Sequence, residues 1–288
     1  MHALSKILLP VDFSERSVGA AHYANLLAGR FHSELTVLHV LTPPQMEGAL
    51  DTGGSMLAEL YRNRSAQVSG DLDRFVAAHL AGFNVQCVVL EGDPAARIVE
   101  FAHDSAAGLI VMPTHGYGPF RRFLLGSNTA KVLHDADCPV WTGVHLLELS
   151  PAASVPFRNI LCAIDLGPQS SRTLCWASQF ALQFGARLVV VHATGASPEP
   201  DDSSEASWQT GIHESAEAEL QRLLEFVNAE ADIMVESGDP AKAIGAAAER
   251  IPADLLVIGR GSAAGVYGRL RTNAYAIIRM SLCPVVSV

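Results

Sequence analysis

The residues best suited to chemistry follow an apolar run, Leu109-Ile110-Val111-Met112, which reads as a buried strand. The run ends at Pro113 and opens into Thr114-His115-Gly116, a loop with Gly118 and Pro119, and then Gly126-Ser127-Asn128, where a helical pattern begins. This order turns backbone N–H groups and a helix N-terminus into one crevice, and the chemistry that suits is phosphate binding. Glycines that merely make tight turns account for Gly116 and Gly126 singly, but not for their spacing with Ser127, which sits where an N-cap belongs. Asp12 is the second candidate, at the end of the apolar segment Ile7-Leu8-Leu9-Pro10-Val11. Its carboxylate either closes the strand on local N–H groups or faces a ligand at the switch point of a parallel sheet.

Those residues are positioned by a unit that occurs twice. Ile7 to Asp12 matches Ile160 to Asp165, and Leu35 to Val40 matches Leu188 to Ala193. Glu91-Gly92-Asp93-Pro94-Ala95 matches Ser237-Gly238-Asp239-Pro240-Ala241, and Cys138-Pro139-Val140 matches Cys283-Pro284-Val285. The offset drifts only from 153 (Asp12 to Asp165) to 145 (Cys138 to Cys283). The first copy predicts strands near 6–12, 35–41, 84–90, 108–113 and 139–144, with helices near 15–32, 55–81, 94–105 and 127–136. The second predicts strands near 158–164, 187–193, 232–237, 254–259 and 284–288. Ala24, Leu27, Ala28 and Phe31 form one helical face, repeated by Ala177, Phe180, Ala181 and Phe184. Ser14 is placed as an N-cap, and each Gly-Asp-Pro gives a turn, a cap and a proline at the first helical position. Alternating strands and helices with apolar strands predict an α/β fold of parallel sheets covered on both faces. Segments 42–54 and 194–207 read as solvated loops, and Pro151, Ser154 and Pro156 mark a linker. The apolar last strands, beginning at Cys-Pro, need cover, so the two copies are expected to pair through them about a pseudo-twofold axis.

Composition narrows the classes of partner. The 288 residues carry a net charge of −10, with 49% hydrophobic and 17% charged residues. That balance argues against a general nucleic-acid or anionic-membrane surface, though not against a small phosphate ligand. No run approaches the ~20 apolar residues of a membrane span, and no signal peptide leads the chain, so a cytoplasmic protein is expected. The five cysteines match no metal or CxxC spacing and read as buried free thiols. His39 and His192 repeat at a strand end and read as hydrogen-bonded structural residues. No Walker phosphate loop, no GxGxxG after the first strand and no GxSxG elbow is present.

Taken in order, the opening strand ending in Asp12, Leu38-His39-Val40, Gly92-Asp93-Pro94-Ala95, Leu109 to Gly116, Gly126-Ser127 and Cys138-Pro139-Val140 resemble the universal stress proteins, in tandem. The resemblance implies two Rossmann-like domains of the adenine nucleotide alpha hydrolase type, each a five-stranded parallel sheet of order 3-2-1-4-5. Their expected extents are 1–145 and 158–288, with a linker at 146–157. Some members bind ATP through Gly-x-x-Gly, nine residues, then Gly-Ser or Gly-Thr. The first copy has Pro113 at the first glycine and keeps Gly116, Gly126 and Ser127. The second keeps Gly259 but has Ser262 and Arg271 at the next two glycine positions and one residue fewer between them. The second copy is therefore expected to be the degenerate one. Arg260, Arg269 and Arg271 either face its crevice as anion donors or lie on the surface, and the surface is the expectation.

The resemblance also places Asp12 and Val40 beside an adenosine. The candidate site is thus Pro10, Asp12, Val40, Met112, His115, Gly116, Gly126, Ser127 and Asn128, with ATP, accompanied by Mg2+, as the ligand. The implied function is a nucleotide-binding stress-response regulator with a protein partner, at most a slow hydrolase, in which a further homodimer is compatible with the tandem chain. Two other readings stand beside it: a nucleotide-free interaction scaffold, and a metal-dependent nucleotide hydrolase using Asp12.

Overall fold

The computed structural model describes residues 4–42, 54–80, 82, 84–114, 125–143, 157–195, 203–260 and 272–288. The first half runs β1 (Lys6–Pro10), α1 (Glu15–Phe31), β2 (Glu34–Leu41), α2 (Gly54–His79), β3 (Val85–Glu91), α3 (Pro94–Asp104), β4 (Leu109–Val111), α4 (Ser127–Asp135) and β5 (Val140–Thr142). The second half repeats it as β6 (Asn159–Ala163), α5 (Ser170–Phe184), β7 (Arg187–Ala193), α6 (Ser203–Val227), β8 (Asp232–Glu236), α7 (Pro240–Arg250), β9 (Leu255–Ile258), α8 (Thr272–Met280) and β10 (Val285–Ser287).

The ten strands among the described residues form one sheet, ordered β3-β2-β1-β4-β5-β10-β9-β6-β7-β8. Each half has the 3-2-1-4-5 order, and every pairing within a half is parallel. The halves join where their last strands meet. β5 and β10 pair antiparallel, with Trp141 opposite Val286 at the centre and Val140 opposite Ser287.

Strand alternation sorts the core into two layers. Ile7, Leu9, Leu109 and Val111 point to the side covered by α1, α2, α5 and α6. Leu8 and Ile110 point to the side covered by α3, α4, α7 and α8. On the first side an aromatic cluster crosses from one half to the other. Trp141 lies 5.6 Å from Tyr23, 5.5 Å from Phe157 and 5.8 Å from Phe180, centroid to centroid. Phe31 of α1 meets Phe180 and Phe184 of α5, and the Arg30 guanidinium stands over Phe184. Phe157, expected as the end of the linker, is instead buried core at 1% exposure. The rest of the expected linker, 146–156, lies outside the described residues.

Local signals set several boundaries. Ser14 caps α1 by accepting from Ser17 N. Asp93 and Asp239 cap α3 and α7, each followed by proline at the first helical position. The glycines before them, Gly92 and Gly238, take φ of +136° and +106°, which a side chain resists. The acidic segment expected as loop to residue 207 is helical from Ser203.

Burial divides the cysteines rather than covering all five as expected: Cys162 and Cys283 are buried, Cys138 and Cys175 half-buried, and Cys87 is exposed. Cys138 and Cys283, at the two Cys-Pro strand starts, have their thiols pushed up to about 11 by burial. An ordinary thiol at 9.0 ionises first in the unfolded chain. Their contribution to stability is therefore fully present below pH 9.0 and lost as pH rises to about 11. The folded protein is expected to leave both thiols unalkylated at pH 8, with reaction only after denaturation; mass spectrometry showing either modified in the native state would contradict this. The central contact gives a second prediction. Trp141→Ala should lower unfolding stability by about 3–5 kcal/mol, read from urea titration, and a loss under about 1 kcal/mol would show that the junction is not the keystone.

Candidate functional site

β1 and β4 are neighbours in the sheet but pair only through Ile7–Leu109 and Leu8–Ile110. Beyond those pairs they part, and the order reverses there, since β1 leads out to β2 and β4 to β5. Ligands of open α/β sheets bind at such a switch point. Pro10 and Pro113 sit where the strands separate, and neither has an N–H to leave unpaired.

A pocket of about 400 Å³ opens at this point. Seven of the nine sequence candidates line it: Pro10, Asp12, Val40, Met112, Gly126, Ser127 and Asn128. His115 and Gly116 lie outside the described residues. Pro10, Leu38 and Met112 make a buried apolar floor, whereas Asp12, Ser127 and Asn128 form an exposed polar rim. Sequence reasoning missed Thr42, Pro94, Ile98 and Thr129, which also line the pocket. The Gly-Asp-Pro turn was the signal for Pro94 and Ile98, because it starts α3 beside the ends of β2 and β4.

The start of α4 differs from those of α1 and α3. Ser127 is not the cap; Gly126 is, with φ −63° and ψ 144°, and it offers no side-chain acceptor. Its carbonyl accepts from Ala130 N at 2.8 Å, the first bond of the helix. Among the described residues, the N–H groups of Ser127, Asn128 and Thr129 find no protein acceptor. α1 and α3 each satisfy one such donor with their own cap side chain. Two bonds fix this uncapped end to the tip of β4: Gly126 N donates to Thr114 O at 2.8 Å, and the Thr129 hydroxyl to Pro113 O at 3.0 Å. On the far side, Asp93 is held below the usual carboxylate range by the Ala96 N–H bond and, more weakly, by Lys131 of α4.

Asp12 serves the local fold with one oxygen. Its Oδ1 accepts from Ser14 N (3.0 Å), Ser14 Oγ and Ser17 Oγ (2.6 Å). These bonds hold Phe13 at φ +62°, an unusual value for a bulky residue. The second half repeats the device, with Asp165 Oδ1 accepting from Gly167 N while Leu166 takes φ +55°. Asp12 Oδ2 takes no hydrogen bond among the described residues. His39 is structural, as expected: Nδ1 bonds Val11 O at 2.8 Å and the ring stacks on Phe13, and His192 Nδ1 bonds Ile164 O likewise. No group of three or more His, Cys, Asp or Glu is placed to hold a metal among the described residues.

Two residues of the second half's loop now have physical reasons. A Cβ on Gly259 would come within 3.0 Å of the Thr173 hydroxyl. Its repeat partner Pro113 belongs to the half whose first helix has Ala20 at the place of Thr173. Glycine there thus answers a packing demand of the second half. Arg260 is neither a crevice donor nor a surface residue. It is 5% exposed, and its guanidinium donates to Leu133 O, Ala136 O and Cys138 O of the first half. Arg269 and Arg271 lie outside the described residues.

The profile of the universal stress protein family matches residues 4–142 and 156–288. The chain belongs to that family. A universal stress protein of Mycolicibacterium smegmatis is 25% identical over 288 residues, covering 98% of this chain and 96% of that one. Universal stress protein MJ0531 of Methanocaldococcus jannaschii is 34% identical over 136 residues, 47% of this chain and 79% of its own. Among solved structures, a universal stress protein from Archaeoglobus fulgidus superposes with a TM-score of 0.69 at 25% identity, over 99% of this chain and 98% of that one. The tandem arrangement is therefore that of two universal stress protein domains of Rossmann-like fold. No helix among the described residues is long and apolar enough to cross a membrane.

The role of Asp12 in this universal stress protein's fold is testable without a ligand. Asp12→Ala removes the acceptor that compensates Phe13 and should cost about 1–3 kcal/mol in urea unfolding. Asp12→Asn keeps an oxygen in place and should cost less than half as much. Equal stability of Asp12→Ala and the parent protein would show that the turn holds itself.

Proposed function

We propose that the first domain binds ATP in the pocket between β1 and β4 and acts as a nucleotide-dependent regulator rather than a dedicated catalyst. The uncapped start of α4 carries this reading. Three N–H groups, reinforced by the helix dipole, open on a pocket of about 400 Å³, within the range of small-molecule sites. Phosphate is the ligand chemistry that such an end suits. The pocket's other end supports the adenosine: Leu38, Val40, Ile98 and Met112 offer apolar surface to a flat base, and Asp12 Oδ2 offers an acceptor for a hydroxyl or amino group. Mg2+ would arrive with the triphosphate, since the acidic residue at hand already commits one oxygen to its own turn. Pro113 is compatible with the site. Its carbonyl is the part that serves, through Thr129, while donors come from the helix end beyond Gly126.

Exposed apolar side chains support a protein partner. Leu182 on α5 and Trp208 and Phe226 on α6 are 77%, 65% and 77% exposed. They favour an interaction role under a nucleotide-free scaffold reading as well, so ligand must be measured directly. Freshly purified protein, denatured and analysed, is expected to release adenine nucleotide. Added ATP at a hundredfold excess over Kd should stabilise the fold by about 2.7 kcal/mol, seen as a raised Tm. Gly126→Arg should abolish that shift while folding normally, because residue 126 has an ordinary φ of −63°. No released nucleotide together with no ATP-dependent rise in Tm would leave the scaffold reading standing.

A further inference from the structure

The two halves are alike in topology but not in how they finish the helix before the last strand. The turn after α8 closes on itself: the Ser281 hydroxyl donates to Cys283 O at 2.7 Å and accepts from Cys283 N. The repeat equivalent of Ser281 in the first half is Ala136, which has no polar group to do this. The end of α4 is served from the other half instead. Arg260 Nη1 donates to Leu133 O (3.3 Å) and Ala136 O (2.9 Å), and Nη2 to Cys138 O (2.6 Å). Arg260 is itself pinned by its backbone N–H to Val288 O at 3.0 Å, at the edge of β10. Two further second-half residues reach the same helix at different places: Arg172 donates to Asp137 O just past its end (3.2 Å) and Tyr275 to Ala130 O in its first turn (3.5 Å).

The position of Arg260 gives the asymmetry its meaning. Its repeat equivalent is Thr114, whose carbonyl holds Gly126 at the start of α4. One end of this nine-residue helix is therefore tied by the first half's loop and the other by the matching residue of the second half. A helix this short is marginal without tertiary support, and a buried cation on its last carbonyls favours the alignment of its peptide dipoles. The same alignment strengthens the donors of Ser127 and Asn128 at the pocket.

We propose that Arg260 is a positioning residue for the first-half anion site: across the domain junction it braces the far end of the helix whose N-terminus would receive the phosphates. This rests on the nucleotide reading for its ligand, but not for the brace itself. The second half thereby takes part in binding without offering a ligand contact.

The test compares the full chain with Arg260→Met, which keeps the apolar stem and removes the donors, and Arg260→Lys, which keeps the charge. Ile244→Val on α7 controls for loss of stability remote from α4. Two quantities are read: ATP affinity by calorimetry, and amide hydrogen exchange without ligand. Arg260→Met is expected to weaken ATP binding on the order of tenfold and to speed exchange within 126–138 selectively. Arg260→Lys should recover part of both, and Ile244→Val should change neither. ATP affinity unchanged in Arg260→Met, or weakened equally in Ile244→Val, would overturn the proposal. If the parent chain binds no ATP, the nucleotide reading alone fails and exchange still decides: acceleration confined to α4 supports the brace, and uniform or absent acceleration refutes it. If Arg260→Met does not fold, Arg260→Lys carries both measurements, and wild-type values for it together with wild-type exchange in Tyr275→Phe would refute the brace.

Discussion

The structure depends on one junction, the antiparallel pairing of β5 with β10. Each is three residues long and entirely apolar or small, and each would otherwise end its sheet as an open edge. Unpaired N–H and C=O groups on a short apolar strand invite association, and the cheapest cover is another copy of the same strand. Fusion of two copies in one chain makes that cover intramolecular and permanent. The polar atoms at the join do little for it: Thr142 Oγ1, Ser287 Oγ and Trp141 Nε1 are buried without partners among the described residues. The junction is therefore held by the strand ladder and by the burial of Trp141, Phe157 and Phe180.

From that join the rest follows outward. Placing β5 next to β10 brings α1 against α5 on one face and α4 against the second half on the other. It leaves the C-terminal ends of β1 and β4 facing solvent at the switch point. The site thus lies away from the junction yet shares a helix with it. α4 starts at the pocket and ends at Arg260, so the geometry of the pocket is tied to the way the halves meet.

Most of this order was legible in the sequence because duplication exposes it. Two matched copies of strand, Gly-Asp-Pro turn and Cys-Pro strand gave the parallel sheets and the pairing edge, while the strand order came only from the family resemblance. Period and turn chemistry sufficed for the caps at Ser14 and Asp93. What was not legible depended on contacts between the halves. Phe157 read as linker because nothing local says that an aromatic after a proline-rich segment will fill a core. Arg260 read as surface because arginine is mostly exposed, and its acceptors are three carbonyls over 120 residues away in sequence. Ser127 read as a cap by residue type, whereas Gly126 takes that place and leaves the first-turn donors open. The misreading of one position matters because it separates a helix that satisfies itself from one that can receive a ligand.

Fusion also permits a division that a symmetric pair of chains resists. A loop after β4 can tie the start of its own helix, as Thr114 does, or carry a long cation across to the neighbour, as Arg260 does. In a symmetric dimer every loop would carry the same residue. Arginine at both positions would brace both helices while placing a bulky cation in both loops. Threonine at both would hold both starts while leaving both helix ends to find their own closure. In a tandem chain the copies diverge. The second half closes the turn after its own helix with Ser281 and uses Arg260 for the first, and the first half, so supported, can leave Ala136 without a polar group. Each substitution is understandable only beside the other, and together they make the worn copy of the loop a part of the better-preserved one.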